Sequence, residues 1–303
     1  MRLPSRVLLR EVGPRDGLQN EPPVPTAGKV ALIDALSKTG LQRIEAVSFV
    51  HPRAIPQMGD AERVWSEITR HEGVEYSALV PNLTGARRAL DVGVRSLEVV
   101  VSASERHNQV NVNRSTAESL AEIEAVVDLA HSVGATCQVI IATAWGCPYE
   151  GDIPVSRVVS IARAALDAGA DTLAYGDTTG MATPTRVEEL VETTRASLPT
   201  VPLALHFHNT RGTGLANVLA ALQLGVTEFD ASVGGLGGCP YAPGASGNIA
   251  TEEVVHMLED MGVETGVDLD LLLDVAAQAE RLVGHQLPSQ VLRAGPRTRT
   301  VAS

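Results

Sequence analysis

Two histidines, His206 and His208, stand two residues apart at the end of the apolar run PLALHFH. On a helix the pair would diverge, whereas on a strand both imidazoles would point to one side, roughly 6–7 Å apart along the chain. The pair carries chemistry only if the run is a strand. Other polar groups close or follow short β-branched runs: Arg15 and Asp16 in EVGPRDGLQNE, Glu45 and Ser48 in RIEAVSF, His107 and Asn108 after SLEVVVS, and Asp177 at the end of DTLAYGD. A further segment, GGLGGCPYAPGASGN, holds six of the 27 glycines and carries Cys239 and Asn248. Brought together, Asp16, His206, His208 and Asn248 would offer oxygens and nitrogens to one divalent cation and leave room for a chelating substrate. Such a mixed set suits Mg²⁺ or Mn²⁺, and Zn²⁺ or Co²⁺ also fit it.

Positioning these groups at one place demands a repeating scaffold, and the chain has one. Eight short runs at 7–12, 43–49, 75–81, 96–102, 136–142, 171–177, 202–208 and 228–233 alternate with longer stretches of 3.6-residue periodicity, several ending in glycine as a helix C-cap does. Eight strand–helix units in 303 residues, with no Pro-rich or low-complexity linker, predict a single closed (β/α)₈ barrel. The barrel is expected over about 7–262, with an extra helix at about 268–284 and a loose tail completing the region 263–303. In such a barrel the chemistry sits where strands end and βα loops begin. That is where the polar residues above fall.

Composition narrows the partners. A formal charge of −12 argues against nonspecific nucleic-acid binding and leaves no polybasic face for anionic lipid. No apolar run approaches the roughly 18–20 residues that span a bilayer, and the N-terminal segment lacks the pattern of a secretory signal, so a cytoplasmic location is expected. Cys137, Cys147 and Cys239 are too few and too scattered for a disulfide framework or a structural zinc site. The only lysines, Lys29 and Lys38, fall on the first predicted helix, so no strand lysine can form a Schiff base. An aldol-type cleavage here would need a metal as its electron sink.

At these residues the chain resembles the 3-hydroxy-3-methylglutaryl-CoA lyases, within the metal-dependent lyase and Claisen-condensing barrels. The resemblance runs through EVGPRDGLQNE, IEAVSFVHPRAIPQMGD, VPNLTGARRAL, GCPYEGDI, GDTTGMATP, HFHNTRGTGLAN and GGLGGCPYAPGASGNIATEE, nearly the whole chain. It implies that Asp16, His206, His208 and Asn248 are metal ligands and that Arg15 and Cys239 are catalytic. The implied substrate is an acyl-CoA thioester, a 3-hydroxyacyl-CoA split to acetyl-CoA and a keto acid, and the implied assembly is a homodimer or another homo-oligomer. In that reaction Arg15 suits the enolate oxygen and Cys239 suits protonation of the enolate carbon, while Asp16, His206 and Glu45 all remain candidates for the base.

Around this set, Ser48, His107, Asn108, Asn113 and Asp177 are expected near the substrate. Two departures from the family pattern bear on specificity. Asn209 and Arg211 stand where an acidic and then an aromatic residue are common, so Arg211 would favour an extra substrate carboxylate if it faced the pocket. Tyr175 stands where small or aliphatic residues are common, and it is expected to reshape that pocket. Citramalyl-CoA is the alternative substrate; a non-catalytic acyl-CoA-binding barrel is the alternative of another class.

Overall fold

The computed structural model describes residues 3–238 and 246–299. Strand β1 (Leu8–Glu11) leads to helix α1 (Thr26–Leu36), and β2 (Arg43–Ser48) to α2 (Ala61–Glu67). Next come β3 (Glu75–Leu79), α3 (Leu83–Asp91), β4 (Ser96–Ser102), α4 (Glu105–Val112) and α5 (Thr116–Ser132). Strand β5 (Thr136–Ala142), α6 (Val155–Asp167), β6 (Thr172–Gly176) and α7 (Pro184–Ser197) follow. The barrel ends with β7 (Leu203–His206), α8 (Gly214–Gln223), β8 (Glu228–Ala231) and α9 (Thr251–Asp260), after which α10 (Leu269–Val283) and α11 (Gln290–Ala294) are added.

All eight strands pair in parallel and in sequence order, and β8 closes on β1. The expected (β/α)₈ barrel is therefore present, with α10 as the extra C-terminal helix. Helices α4 and α11 go beyond the expected set. The first occupies the loop after β4, because the polar segment HNQVNVN coils into a helix capped by Ser104 rather than staying open. The next helix starts at Ser115 with a reciprocal cap, Ser115 and Glu118 each satisfying the other's backbone N–H.

Strand periodicity decides what faces the barrel axis. Val100, Ile140, Ala174 and Ala204 pack together as one small interior layer, separate from the larger core between sheet and helices. Residues in phase with them, including His206 on β7 and Gly176 on β6, also face inward; those out of phase pack under the helices. Tyr175 is out of phase. It is fully buried, donates or accepts a 2.9 Å hydrogen bond with Thr194 on α7, and meets Trp145 edge-on. The expectation that Tyr175 shapes the pocket is thus corrected: the phase of β6 turns it into the helix layer.

One buried carboxyl ties the catalytic end of the barrel together. Glu11, at the end of β1, accepts the N–H groups of Gly13 and Val233 at 2.7 and 2.8 Å and the Thr251 hydroxyl at 2.6 Å. Burial pushes it up from an ordinary 4.5 to about 7, against the opposing pull of those hydrogen bonds. The folded state therefore holds the proton more tightly than the unfolded chain. The stabilisation is complete below about pH 4.5 and is lost as pH rises through about 7. Relative to Glu11→Gln, which cannot ionise, the native protein should lose on the order of 3 kcal/mol of stability between pH 4.5 and 8. Urea unfolding midpoints of the two proteins across that range check this, and parallel pH curves would refute it.

Candidate active site

The chain leaves β1 in a single π-helical turn, Gly13–Gly17, in which the Val12 carbonyl accepts N–H bonds from both Asp16 and Gly17. Glycine is required at its start, because a Cβ on Gly13 would stand 2.6 Å from the Glu11 carboxylate. This turn presents Arg15 and Asp16 side by side at the carboxyl end of the barrel. On the opposite side, His208 forms an antiparallel bridge with Asn248, and the Asn209 N–H bonds the Gly247 carbonyl, so the segment after β8 lies against the end of β7. Gly237 adopts a φ of +119°, and a Cβ there would meet the Asn248 amide nitrogen at 2.7 Å. The absence of a side chain at Gly237 is what lets the Asn248 amide reach Asp16.

Asp16, His206 and His208 each bring a ligand atom within 4.8 Å of the others. The His206 and His208 rings lie 5.1 Å apart, centre to centre. His206 Nε2 stands 4.0 Å from Asp16 Oδ2, and the Asn248 amide donates to that same oxygen at 2.7 Å. Two buried atoms in this group have no hydrogen-bond partner among the described residues: His208 Nδ1 and Asn248 Oδ1. Orphaned polar atoms of this kind are costly unless something else satisfies them. With a carboxylate and two imidazoles alongside, the donor set fits a divalent cation.

The electrostatics agree with that use. Burial alone would raise Asp16, but the charges of Arg15, His206 and His208 and the Asn248 hydrogen bond outweigh it and hold the carboxyl at about 2. Burial first, then the neighbouring His206, pushes His208 down to about 3. Both groups are therefore in their unprotonated, ligand-ready forms at neutral pH. Arg15 spans two carboxylates, with one guanidinium nitrogen 2.7 Å from Asp16 Oδ1 and another 2.7 Å from Glu45 Oε2. Glu45 is fully buried, and burial lifts its carboxyl well above the ordinary range despite Arg15.

These groups open onto a cavity of about 280 Å³ whose polar lining includes Arg15, Asp16, Gln19, His107, His206 and His208. His107 belongs to α4, and burial lowers its pKa. Several sequence expectations are not met at this cavity. Glu45 lies behind Arg15 and does not line it, and neither does Ser48, buried at the end of β2. Asn108 is used as a splint: its amide accepts the Ser102 N–H and donates to the Arg114 carbonyl and the Ser119 hydroxyl. Asn113 is the exposed, left-handed C-cap of α4. Asp177 caps its own loop by accepting the N–H groups of Met181 and Ala182, and burial raises it to about 6. Asn209 accepts the Gly214 N–H at the start of α8. Arg211 donates to the carbonyls of Thr179 and Gly180, so its side chain braces the β6 loop instead of facing substrate. Cys239 lies outside the described residues; its neighbour Gly238 lines the cavity.

One contributor escaped the sequence reading. Asp230, on β8, also lines the cavity and bonds His206 Nδ1 at 3.1 Å. An inward acidic residue in the run EFDASV was the available signal, but nothing local linked it to His206.

Fold and site together define a (β/α)₈ enzyme with a candidate divalent-metal centre at the carboxyl ends of its strands. The sequence matches the HMGL-like family over residues 6–278, and the chain belongs to that family. It is similar to hydroxymethylglutaryl-CoA lyase YngG of Bacillus subtilis, with 49% identity over 294 residues covering 97% of this chain and 98% of that one. It is also similar to (R)-citramalyl-CoA lyase of Chloroflexus aurantiacus, with 42% identity over 301 residues covering 96% and 95%. An HMG-CoA lyase structure from Acinetobacter baumannii, in complex with coenzyme A and 3-methylmalate, superposes with a TM-score of 0.94 at 45% identity, covering 99% of this chain and 98% of that one.

Proposed function

We propose that the chain cleaves 3-hydroxy-3-methylglutaryl-CoA to acetyl-CoA and acetoacetate. The observation that carries this reading is the convergence of Asp16, His206, His208 and Asn248 beside the Arg15 guanidinium, around one cavity, in a member of the HMGL-like family. Asp16, His206, His208 and Asn248 would hold the ion, Mg²⁺ or Mn²⁺ by the chemistry of the set. When bound, a divalent ion supplies Lewis acidity that makes a chelated hydroxyl more acidic.

The chain's own residues supply the rest. The hydroxyl proton passes to Asp16, which opens on the cavity, since Glu45 is enclosed behind Arg15 and the ring nitrogens of His206 face Asp230 and the proposed ion site. As that proton leaves, the carbon–oxygen bond becomes a ketone, the adjacent carbon–carbon bond breaks, and its electron pair moves into the thioester enolate. Arg15 holds the enolate oxygen with a permanent charge fixed in place by Asp16 and Glu45. Cys239 then donates its proton to the enolate carbon, which completes acetyl-CoA. The assembly is a homo-oligomer, a reading that rests on the family resemblance.

The test is a panel of 3-hydroxyacyl-CoA thioesters, including citramalyl-CoA, assayed for acetyl-CoA release with Mg²⁺ or Mn²⁺ and after chelation. Release should be greatest from 3-hydroxy-3-methylglutaryl-CoA, should cease on chelation and should return with the added ion. Preferential cleavage of citramalyl-CoA would overturn the substrate, and full turnover without metal would overturn the site.

A further inference from the structure

A parallel barrel normally fills its interior with branched apolar side chains. Here the layer beneath the cavity is charged. Arg10 on β1 is buried, as are Asp230 on β8, Glu98 on β4 and Gln138 on β5. Arg10 grips Asp230 through two parallel hydrogen bonds, Nε to Oδ1 at 2.8 Å and a terminal nitrogen to Oδ2 at 2.7 Å. Its other terminal nitrogen reaches Glu98 at 2.7 Å and also donates to the Gln138 amide oxygen. Arg10 itself does not line the cavity. Burying so many charges is expensive compared with an apolar layer of the same shape, so the arrangement calls for a purpose beyond stability.

Its upper end shows the purpose. Asp230 Oδ2, already held by Arg10, stands 3.1 Å from His206 Nδ1. A carboxylate locked in a bidentate arginine pair can only accept, so His206 must donate Nδ1–H to it. The lone pair of this ring then lies on Nε2, the atom that stands 4.0 Å from Asp16. We infer that Arg10 and Asp230 are positioning residues for the metal centre: Arg10 fixes Asp230, Asp230 fixes the tautomer and orientation of His206, and the pair thereby sets the affinity for the divalent ion. The inference rests on the metal site proposed above and adds two residues to it, neither of which is a ligand. Carboxylate partners that orient ligating histidines typically change metal affinity by about 10–100-fold when removed.

The experiment is a Mn²⁺ titration of the full chain followed by electron paramagnetic resonance, on the native protein, Asp230→Asn and Arg10→Lys. It is paired with ¹⁵N NMR of the imidazoles in the metal-free proteins. Asp230→Asn keeps the shape but removes the charge, and it should weaken Mn²⁺ binding about 10–100-fold and reduce the share of His206 in the Nδ1–H form. Arg10→Lys keeps a buried cation but lacks the two-pronged grip, so it should weaken binding by a smaller factor with the same spectral change. For Arg10→Lys, a change outside the cavity, KM for the CoA thioester at saturating Mn²⁺ should stay near the native value. Should Asp230→Asn fail to fold, Arg10→Lys decides the question. Native-like Mn²⁺ affinity and an unchanged His206 tautomer in a folded variant would overturn the relay while leaving the metal site standing. Failure of the native protein to bind Mn²⁺ would overturn both.

Discussion

Arg15→Met will lower kcat for 3-hydroxy-3-methylglutaryl-CoA cleavage by roughly 10²–10³-fold, the usual loss when a preorganised donor to a developing oxyanion is removed. The guanidinium is buried, and its two terminal nitrogens are spoken for by Asp16 and Glu45 at 2.7 Å each. Its Nε–H is buried with no hydrogen-bond partner among the described residues, which leaves that nitrogen free to donate to an oxygen that arrives with the substrate. Methionine fills much of the volume and supplies neither charge nor donor. Glu45, whose carboxyl burial already raises, can respond to loss of the cation by taking up a proton, so the fold should survive the change. Arg15→Lys separates charge from geometry: one ammonium cannot bridge two carboxylates and still reach the substrate, so it should recover only part of the loss. Steady-state kinetics on both variants, with Mn²⁺ affinity measured beside them, check the assignment. A kcat for Arg15→Met within about threefold of native would remove Arg15 from the chemistry.

What could be read before the structure depended on how local its cause was. The H-x-H spacing states its own condition: His206 and His208 share a side only on extended backbone, and they do lie together, although β7 ends at His206 and His208 continues it through the bridge to Asn248. The eight β-branched runs are likewise local, and their order around the barrel follows from parallel right-handed connections. Strand phase is not local. Gly176 pairs in register with His206, which turns Tyr175 outward, and no property of TLAYG alone decides this. Arg10 and Asp230 are 220 positions apart and meet because the barrel closes β8 on β1. Asn209 and Arg211 depart from the family pattern beside a ligand, which makes them specificity candidates; in the structure each satisfies a backbone group in its own loop or the next. A polar side chain beside a catalytic one has two ways to be useful, and the nearer unpaired backbone group takes it first.

Cysteine reactivity supplies the other large effect. Cys239→Ala should reduce turnover by a factor of roughly 10²–10⁴, the range for a positioned proton donor, and leave Mn²⁺ affinity unchanged. The two remaining thiols make the result easy to assign. Cys137 is fully enclosed at the start of β5, and burial, with Asp171 and Glu98 nearby, pushes its thiol up to about 12. Cys147 is also fully enclosed and accepts the Tyr149 N–H through its sulfur. Alkylation needs an accessible thiol, and both of these are enclosed. A thiol reagent should therefore inactivate the folded enzyme by labelling Cys239 alone, substrate should protect against it, and Cys239→Ala should take up no label. The residue next to Cys239 in sequence gives the reason for protection: Gly238 lines the cavity. Peptide mapping after labelling checks the site, and turnover of Cys239→Ala checks the role. Inactivation that tracks with Cys147, or a Cys239→Ala enzyme within a few fold of native turnover, would transfer the final protonation to another group.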